Sequence, residues 1–114
     1  MSDCLFCEIV AGRVPSEEVL ATEQTYAFRD IEPAAPVHVL VVPRVHIADA
    51  AQIGPEHGAI VAEMLVAARR VAEAQQIAER GYRVVFNVGA DALNSIAHLH
   101  LHVIGGRRLG WPPG

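Results

Sequence analysis

The chain has 114 residues, enough for one domain with a buried core and too few for two. Hydrophobic residues make up 52% and charged residues 19%, which excludes a disordered chain, while a net charge of −4 argues against nucleic-acid binding through a broad basic surface. The opening Met1-Ser2-Asp3-Cys4 lacks the basic and apolar regions of a signal peptide, and no apolar run nears the ~18 residues that span a bilayer, so the expected setting is the cytoplasm with no membrane partner.

In chain order, residues 3–11 predict a short helix with Asp3 as its N-cap and Gly12 as its stop. Glu18 to Thr22 and Thr25 to Arg29 predict two short strands joined by a tight turn. Asp30 to Pro36 is a loop, because Pro33 and Pro36 forbid regular pairing. Val37 to Pro43 is a β-rich run that would turn Val37, Val39 and Val41 to one face and His38, Leu40 and Val42 to the other. A long helix opens at Gly54-Pro55-Glu56, carries the stripe Ile60, Met64, Ala67, Ala68, Val71 and Gln75, and ends at Gly81. Tyr82 to Gly89 and Ala97 to Gly105 predict two more strands, and the tail from Gly110 to Gly114 neither strand nor helix. Strands in runs around one long helix give the fold class α+β with a mainly antiparallel sheet.

Chemistry concentrates in His98-Leu99-His100-Leu101-His102. Residues two apart on a strand share a face about 7 Å apart, so the three imidazoles would meet one pocket while Leu99, Leu101 and Val103 face the core. Such an array suits a phosphoryl centre: a hydrogen bond at Nδ1 fixes the tautomer that leaves Nε2 free to attack, and its neighbours orient and hold charge. A tri-histidine metal face or a half-polar strand would share this pattern. Cys4-x-x-Cys7 has metal-ligand spacing, though a buried helix pair or a redox pair reads the same way, and His46 follows Pro43 in a loop. His57 is expected to be an ordinary surface residue.

The run His98-Leu99-His100-Leu101-His102-Val103-Ile104 resembles the signature of the histidine-triad (HIT) superfamily. Cys4 to Ile9, Phe28 to Ile31, Ala35 to His38, Val42 to Ile47 and Gly81 to Asn87 fall in that family's order, and the ending Gly105 to Gly114 resembles its Hint branch. The resemblance covers essentially the whole chain. It implies a HIT-like homodimer, each subunit bringing a sheet of about five antiparallel strands, a short N-terminal helix and one long central helix. It implies hydrolysis of the P–N bond of purine nucleoside phosphoramidates through a nucleotidyl-histidine on His100, with AMP or GMP as product. His102 would contact the phosphate, His38 would support the histidine cluster and Ser95 would hydrogen-bond the phosphate or leaving group. Asp30 and Asn87 would read the ribose hydroxyls, Phe28 and Ile31 would line the base pocket, and Asn94 and His98 would also border the substrate. The resemblance further implies a structural zinc between Cys4, Cys7, His46 and His98, a closed set with no open position. The alternative function is a non-catalytic dimeric nucleotide-binding adaptor; related transferases and dinucleoside polyphosphate hydrolases differ at the C-terminal end.

One departure from the Hint pattern stands beside the triad. Relatives carry Gly-Gly-Gln before the serine, whereas this chain has Ala92-Leu93-Asn94 before Ser95, a stiffer and bulkier loop in which Asn94 keeps the amide with shorter reach. Ala97 also replaces a frequent aromatic ahead of His98. Both changes fall on the leaving-group side.

Overall fold

The apolar run Val37–Pro43 (β3) is the centre of the sheet, with all of its residues buried. The computed structural model describes residues 2–114. Around β3 lie Glu18–Ala21 (β1), Thr25–Arg29 (β2), Tyr82–Val85 (β4) and Leu101–Gly105 (β5), in the order β1-β2-β3-β5-β4 with every pairing antiparallel. The helix Leu5–Val10 (α1) packs on one face of the sheet and Gly58–Ala74 (α2) on the other.

The period of two in β3 divides the core as its sequence predicts. Val37, Val39 and Val41 join Met64, Ala67, Ala68, Val71, Leu101 and Val103 beneath α2. Leu40 and Val42 join Phe6, Ile9 and Phe28 beneath α1. Phe6 and Ile9 are three residues apart, so the short helix offers one apolar edge to the sheet. In register, Phe28 faces Leu40 and Leu40 faces His102, a row of three side chains across β2, β3 and β5. That row is the floor of the site.

Several boundaries differ from the sequence expectation, each for a local reason. The N-cap of α1 is Cys4 and not Asp3, because the Cys4 thiol accepts the Cys7 N–H at 3.3 Å. β1 stops at Ala21, and Thr22 closes the turn with Thr25. The segment Pro55–His57 is a 3-10 turn, with α2 starting at Gly58. His57 is half-buried and caps that turn by accepting the Gly54 N–H at 2.9 Å.

α2 stops at Ala74, well before Gly81. Gln76 takes the left-handed conformation (φ 62°), the Ile77 N–H bonds Ala72 O at 3.0 Å and the Gln76 N–H bonds Glu73 O at 3.1 Å. This pair of bonds ends a helix when the first residue past the cap is left-handed, and the buried Ile77 supplies the accompanying apolar contact. A glutamine performs what sequence reading assigns to glycine. β4 ends at Val85 rather than Gly89, and β5 begins at Leu101 rather than Ala97. The ladder to β3 stops at the Val41–Leu101 pair, and beyond it the Pro43 carbonyl is taken by a side chain, so residues 97–100 have no strand to pair with. No helix among the described residues is long and apolar enough to cross a membrane.

Candidate functional site: an imidazole chain beside a sulfur–imidazole cluster

The segment before β5 carries His98 and His100 into different surroundings. His100 Nδ1 lies 2.7 Å from the His98 carbonyl oxygen. A carbonyl can only accept, so the proton sits on Nδ1 and the Nε2 lone pair is free. The ring lines a cleft of about 390 Å³ and meets the edge of Phe6, with centroids 5.2 Å apart.

His102 follows on β5 and is oriented from behind. The Ala34 N–H donates to His38 Nδ1 at 2.9 Å, which leaves the His38 proton on Nε2. That proton is directed at His102 Nδ1, 2.8 Å away, with the Asp30 carboxylate 3.4 Å from the same nitrogen. His102 therefore carries its own proton on Nε2, where it can donate to a ligand oxygen. Asn87 Nδ2 is placed 3.3 Å from it, and turning the amide over would present the Asn87 oxygen to that proton as acceptor. One backbone N–H thus sets two tautomers in series.

Burial pushes the His38 pKa below the usual histidine range against the pull of Asp30. His102 is lowered to about 4, first by burial and then by the neighbouring His100 and His38. Both are neutral near pH 7. Because the unfolded chain takes up these protons first, near pH 6.5, stability is present above that value and is lost as pH falls toward the folded pKa. We predict that urea unfolding of the wild type loses about 2 kcal/mol between pH 7 and pH 5 from this source. His102→Asn should flatten that pH slope; an unchanged slope would contradict the assignment.

The cleft takes Leu5, Phe6 and Ile9 from α1, Phe28 and Asp30 from the end of β2, Leu40 from the floor, and Asn87, Ser95, His100 and His102 from the opposite side. Ile31 also lines it and is 95% exposed, so it is a rim residue with no role in the core. The Asp30 carboxylate accepts the Glu32 N–H at 2.9 Å, which fixes the loop as it leaves β2. All nine Lys-plus-Arg positions are arginine, and Arg29, the one arginine at this cleft, is tied to Glu17 and Gln75. A phosphate here would meet imidazoles, a hydroxyl and amides.

Two expected contacts are corrected. His98 lies on the same side as His100, with both rings against Phe6 and Leu99 between them in the core beneath α2, but it is 0% exposed and does not line the cleft. Asn94 turns inward, with its Oδ1 buried and unpartnered, while Leu93 before it is left-handed (φ 63°) and points out. Phe6, Ile9 and Leu40 were overlooked as pocket residues, although the apolar edge of α1 was visible in Phe6 and Ile9. The role of the Ala34 N–H leaves no mark in a sequence.

His98 belongs to a second cluster. Its Nε2 donates to the Pro43 carbonyl at 3.0 Å, which frees Nδ1. That nitrogen lies 3.3 Å from Cys4 Sγ, 3.5 Å from Cys7 Sγ and 3.2 Å from His46 Nδ1, and Cys7 Sγ is 3.3 Å from His46 Nδ1. Metal–ligand bonds of about 2.3 Å to sulfur and about 2.0 Å to nitrogen imply tetrahedron edges of about 3.3–3.8 Å, so this two-sulfur, two-nitrogen set is compatible with zinc. Asp30, His38 and His102 also converge within 4.8 Å. They suit a metal poorly, because the Ala34 N–H keeps the lone pair of His38 on Nδ1 and a proton on the nitrogen that faces the group.

Comparison with known proteins agrees with this arrangement. A HIT family hydrolase from Legionella pneumophila Philadelphia 1 superposes with a TM-score of 0.96 at 41% identity, covering 98% of this chain and 100% of that one. The 14 kDa zinc-binding protein of Zea mays is 40% identical over 99% of this chain and 89% of its own length. Adenylylsulfatase HINT1 of Arabidopsis thaliana is 37% identical over 99% of this chain and 78% of its own length. The HIT domain pattern matches residues 11–109. With that match running from the end of α1 past β5, over the fold that carries His98, His100 and His102, the chain belongs to the HIT family.

Proposed function

We propose that the chain is a nucleotide hydrolase that splits the P–N bond of purine nucleoside phosphoramidates through a covalent intermediate on His100. The observation that carries this reading is the hydrogen bond from His100 Nδ1 to the His98 carbonyl, which leaves an unprotonated Nε2 on a ring lining the cleft. Phe6, Ile9, Phe28 and Ile31 would hold the base, and Asp30 and Asn87 the ribose hydroxyls. The HIT family hydrolase of Legionella and the adenylylsulfatase of Arabidopsis support hydrolysis at a nucleotide phosphorus.

In the first step His100 Nε2 bonds to phosphorus and the P–N bond breaks. His102 Nε2–H donates to a phosphoryl oxygen as charge builds there, and the Ser95 hydroxyl, which lines the cleft, passes a proton toward the departing amine. Water then attacks phosphorus and gives up a proton that replaces the one Ser95 passed to the amine, the Nε2–P bond breaks, and AMP or GMP leaves with His100 restored. A zinc held by Cys4, Cys7, His46 and His98 would supply no step. It would pin α1 to the segment that presents His100.

A second copy of the chain would complete a homodimer. β4 is an edge strand with Val84 41% exposed, and α2 leaves Leu65 (46%) and Val66 (43%) open. Light scattering should give twice the monomer mass; a monomer at micromolar concentration would remove this part.

Acid quenching during turnover of adenosine 5′-phosphoramidate, followed by mass spectrometry, should find AMP on His100. Label on another residue, or turnover with no adduct, would overturn the nucleophile. Tight AMP binding without turnover would assign the chain to the adaptor reading instead.

A further inference from the structure

The imidazole chain behind His102 starts from a loop with few holds of its own. Residues 31–36 belong to no helix or strand, and Pro33 and Pro36 bring no N–H to it. Among the described residues two side chains hydrogen-bond to residues 33–36, and both take the backbone of Ala34. His38 Nδ1 accepts the Ala34 N–H at 2.9 Å, and the Arg107 guanidinium donates through Nη2 to the Ala34 carbonyl at 3.1 Å. The first bond sets the tautomers of His38 and His102. The second reaches the same residue from just past the end of β5.

The turn that carries Arg107 is pressed against this loop. Gly106 is left-handed (φ 90°), and a Cβ there would lie 3.0 Å from Pro36 Cβ and 3.3 Å from the Val37 nitrogen, so glycine lets the two segments meet this closely. Arg107 has no carboxylate partner among the described residues. Its fork spans two carbonyls instead, Nη1 on Arg108 O at 3.0 Å and Nη2 on Ala34 O. The guanidinium is planar, so the bond to Arg108 also aims the second donor at Ala34. The carbonyl and the N–H of Ala34 are linked by two soft dihedrals alone. Holding the carbonyl therefore restrains the N–H that faces His38.

We infer that Arg107 is a positioning residue for the reaction at His100: it holds Ala34 by its carbonyl, so that the Ala34 N–H keeps His38, and through it His102, in a single tautomer. The inference rests on the hydrolase reading above for its effect on rate. Arg107 does not line the cleft that contains His100, and it acts through Ala34. When the Ala34 N–H swings away, His38 is free to carry its proton on Nδ1 and to accept from His102 Nδ1 through Nε2. His102 then presents a lone pair to a phosphoryl oxygen where it had presented a proton.

The test compares Arg107→Ala with Arg108→Ala, whose wild-type arginine offers only its carbonyl to this network. Heteronuclear NMR of the imidazole nitrogens reads the tautomers directly. In the wild type His38 and His102 should each carry the proton on Nε2, and His100 on Nδ1. Arg107→Ala should give His38 and His102 mixed tautomers and leave His100 as it was, because the His98 carbonyl fixes that ring. On adenosine 5′-phosphoramidate its kcat should fall about tenfold, the effect of losing one charged hydrogen bond behind the relay, with KM unchanged. Arg108→Ala should match the wild type in both measurements. Single tautomers in Arg107→Ala would overturn the inference whatever the rate does. So would mixed tautomers with an unchanged kcat, or an equal loss in Arg108→Ala, which would make the effect one of net charge. Wild-type protein that hydrolyses no nucleotide conjugate while the tautomers respond as stated would overturn the hydrolase reading and leave the hold of Arg107 on the imidazoles standing.

Discussion

Replacing His100 by glycine should lower kcat for adenosine 5′-phosphoramidate by at least about 1,000-fold while the protein stays folded, and no AMP should be trapped on it after acid quenching. The size of the loss follows from the chemistry. Without Nε2 a single direct attack of water on phosphorus replaces two easier displacements, and the remaining donors, His102 and Ser95, stabilise charge without forming a bond. The fold should survive because His100 precedes β5, is only half-buried and contributes no ladder bond. Its ring edge does rest on Phe6, so a modest loss of about 1 kcal/mol is expected in urea unfolding. His102→Asn should act differently. It leaves the nucleophile in place and removes a donor to the developing charge, so the adduct should still form, about 100-fold more slowly. A His100→Gly protein with near wild-type turnover and native circular dichroism would remove the covalent route.

Much of this architecture was legible because it depends on side-chain period. The alternation in Val37–Pro43 divided the two cores correctly, and Met64, Ala67, Ala68 and Val71 were found from their helical spacing. What escaped depended on backbone detail. The end of α2 was placed at a glycine, whereas Gln76 takes the left-handed position and Ile77 secures it by burial. The alternation holds back past the end of the ladder, with Leu99 in the core beneath α2 and His98 and His100 both against Phe6, but it does not reveal that His98 is fully buried and lines no part of the cleft. Asn94 was aimed at the substrate because a loop sequence does not reveal which residue turns left-handed; Leu93 does, and the sides of its neighbours exchange. The tautomers of His38 and His102 depend on the N–H of Ala34, a group every residue but proline carries, so no sequence pattern points to it.

Stripping metal from the purified protein should lower its melting temperature by about 10 °C, and Cys4→Ser should do the same without a chelator. Six residues are too few for α1 to persist alone, and apart from the apolar edge of Phe6 and Ile9 its main anchor is the cluster at its N-terminus. A structural zinc bound to the folded state and only weakly to the unfolded chain adds stability in proportion to its affinity, and about 2 kcal/mol corresponds to roughly 10 °C for a domain of this size. The consequence reaches the reaction because His98 serves both sites. Its ring joins Cys4, Cys7 and His46, and its carbonyl takes the proton that fixes the His100 tautomer. Phe6, between the two cysteines, is also a wall of the cleft against which His100 rests. Loss of the metal should therefore raise KM as the α1 wall loosens and lower kcat as the His98 carbonyl moves, with His46→Ala showing the milder form of both. Calorimetry and metal analysis on the same sample decide the matter. A metal content near zero in protein purified without chelators, together with a melting temperature that chelation leaves unchanged, would show that the four side chains hold α1 by packing and hydrogen bonds alone.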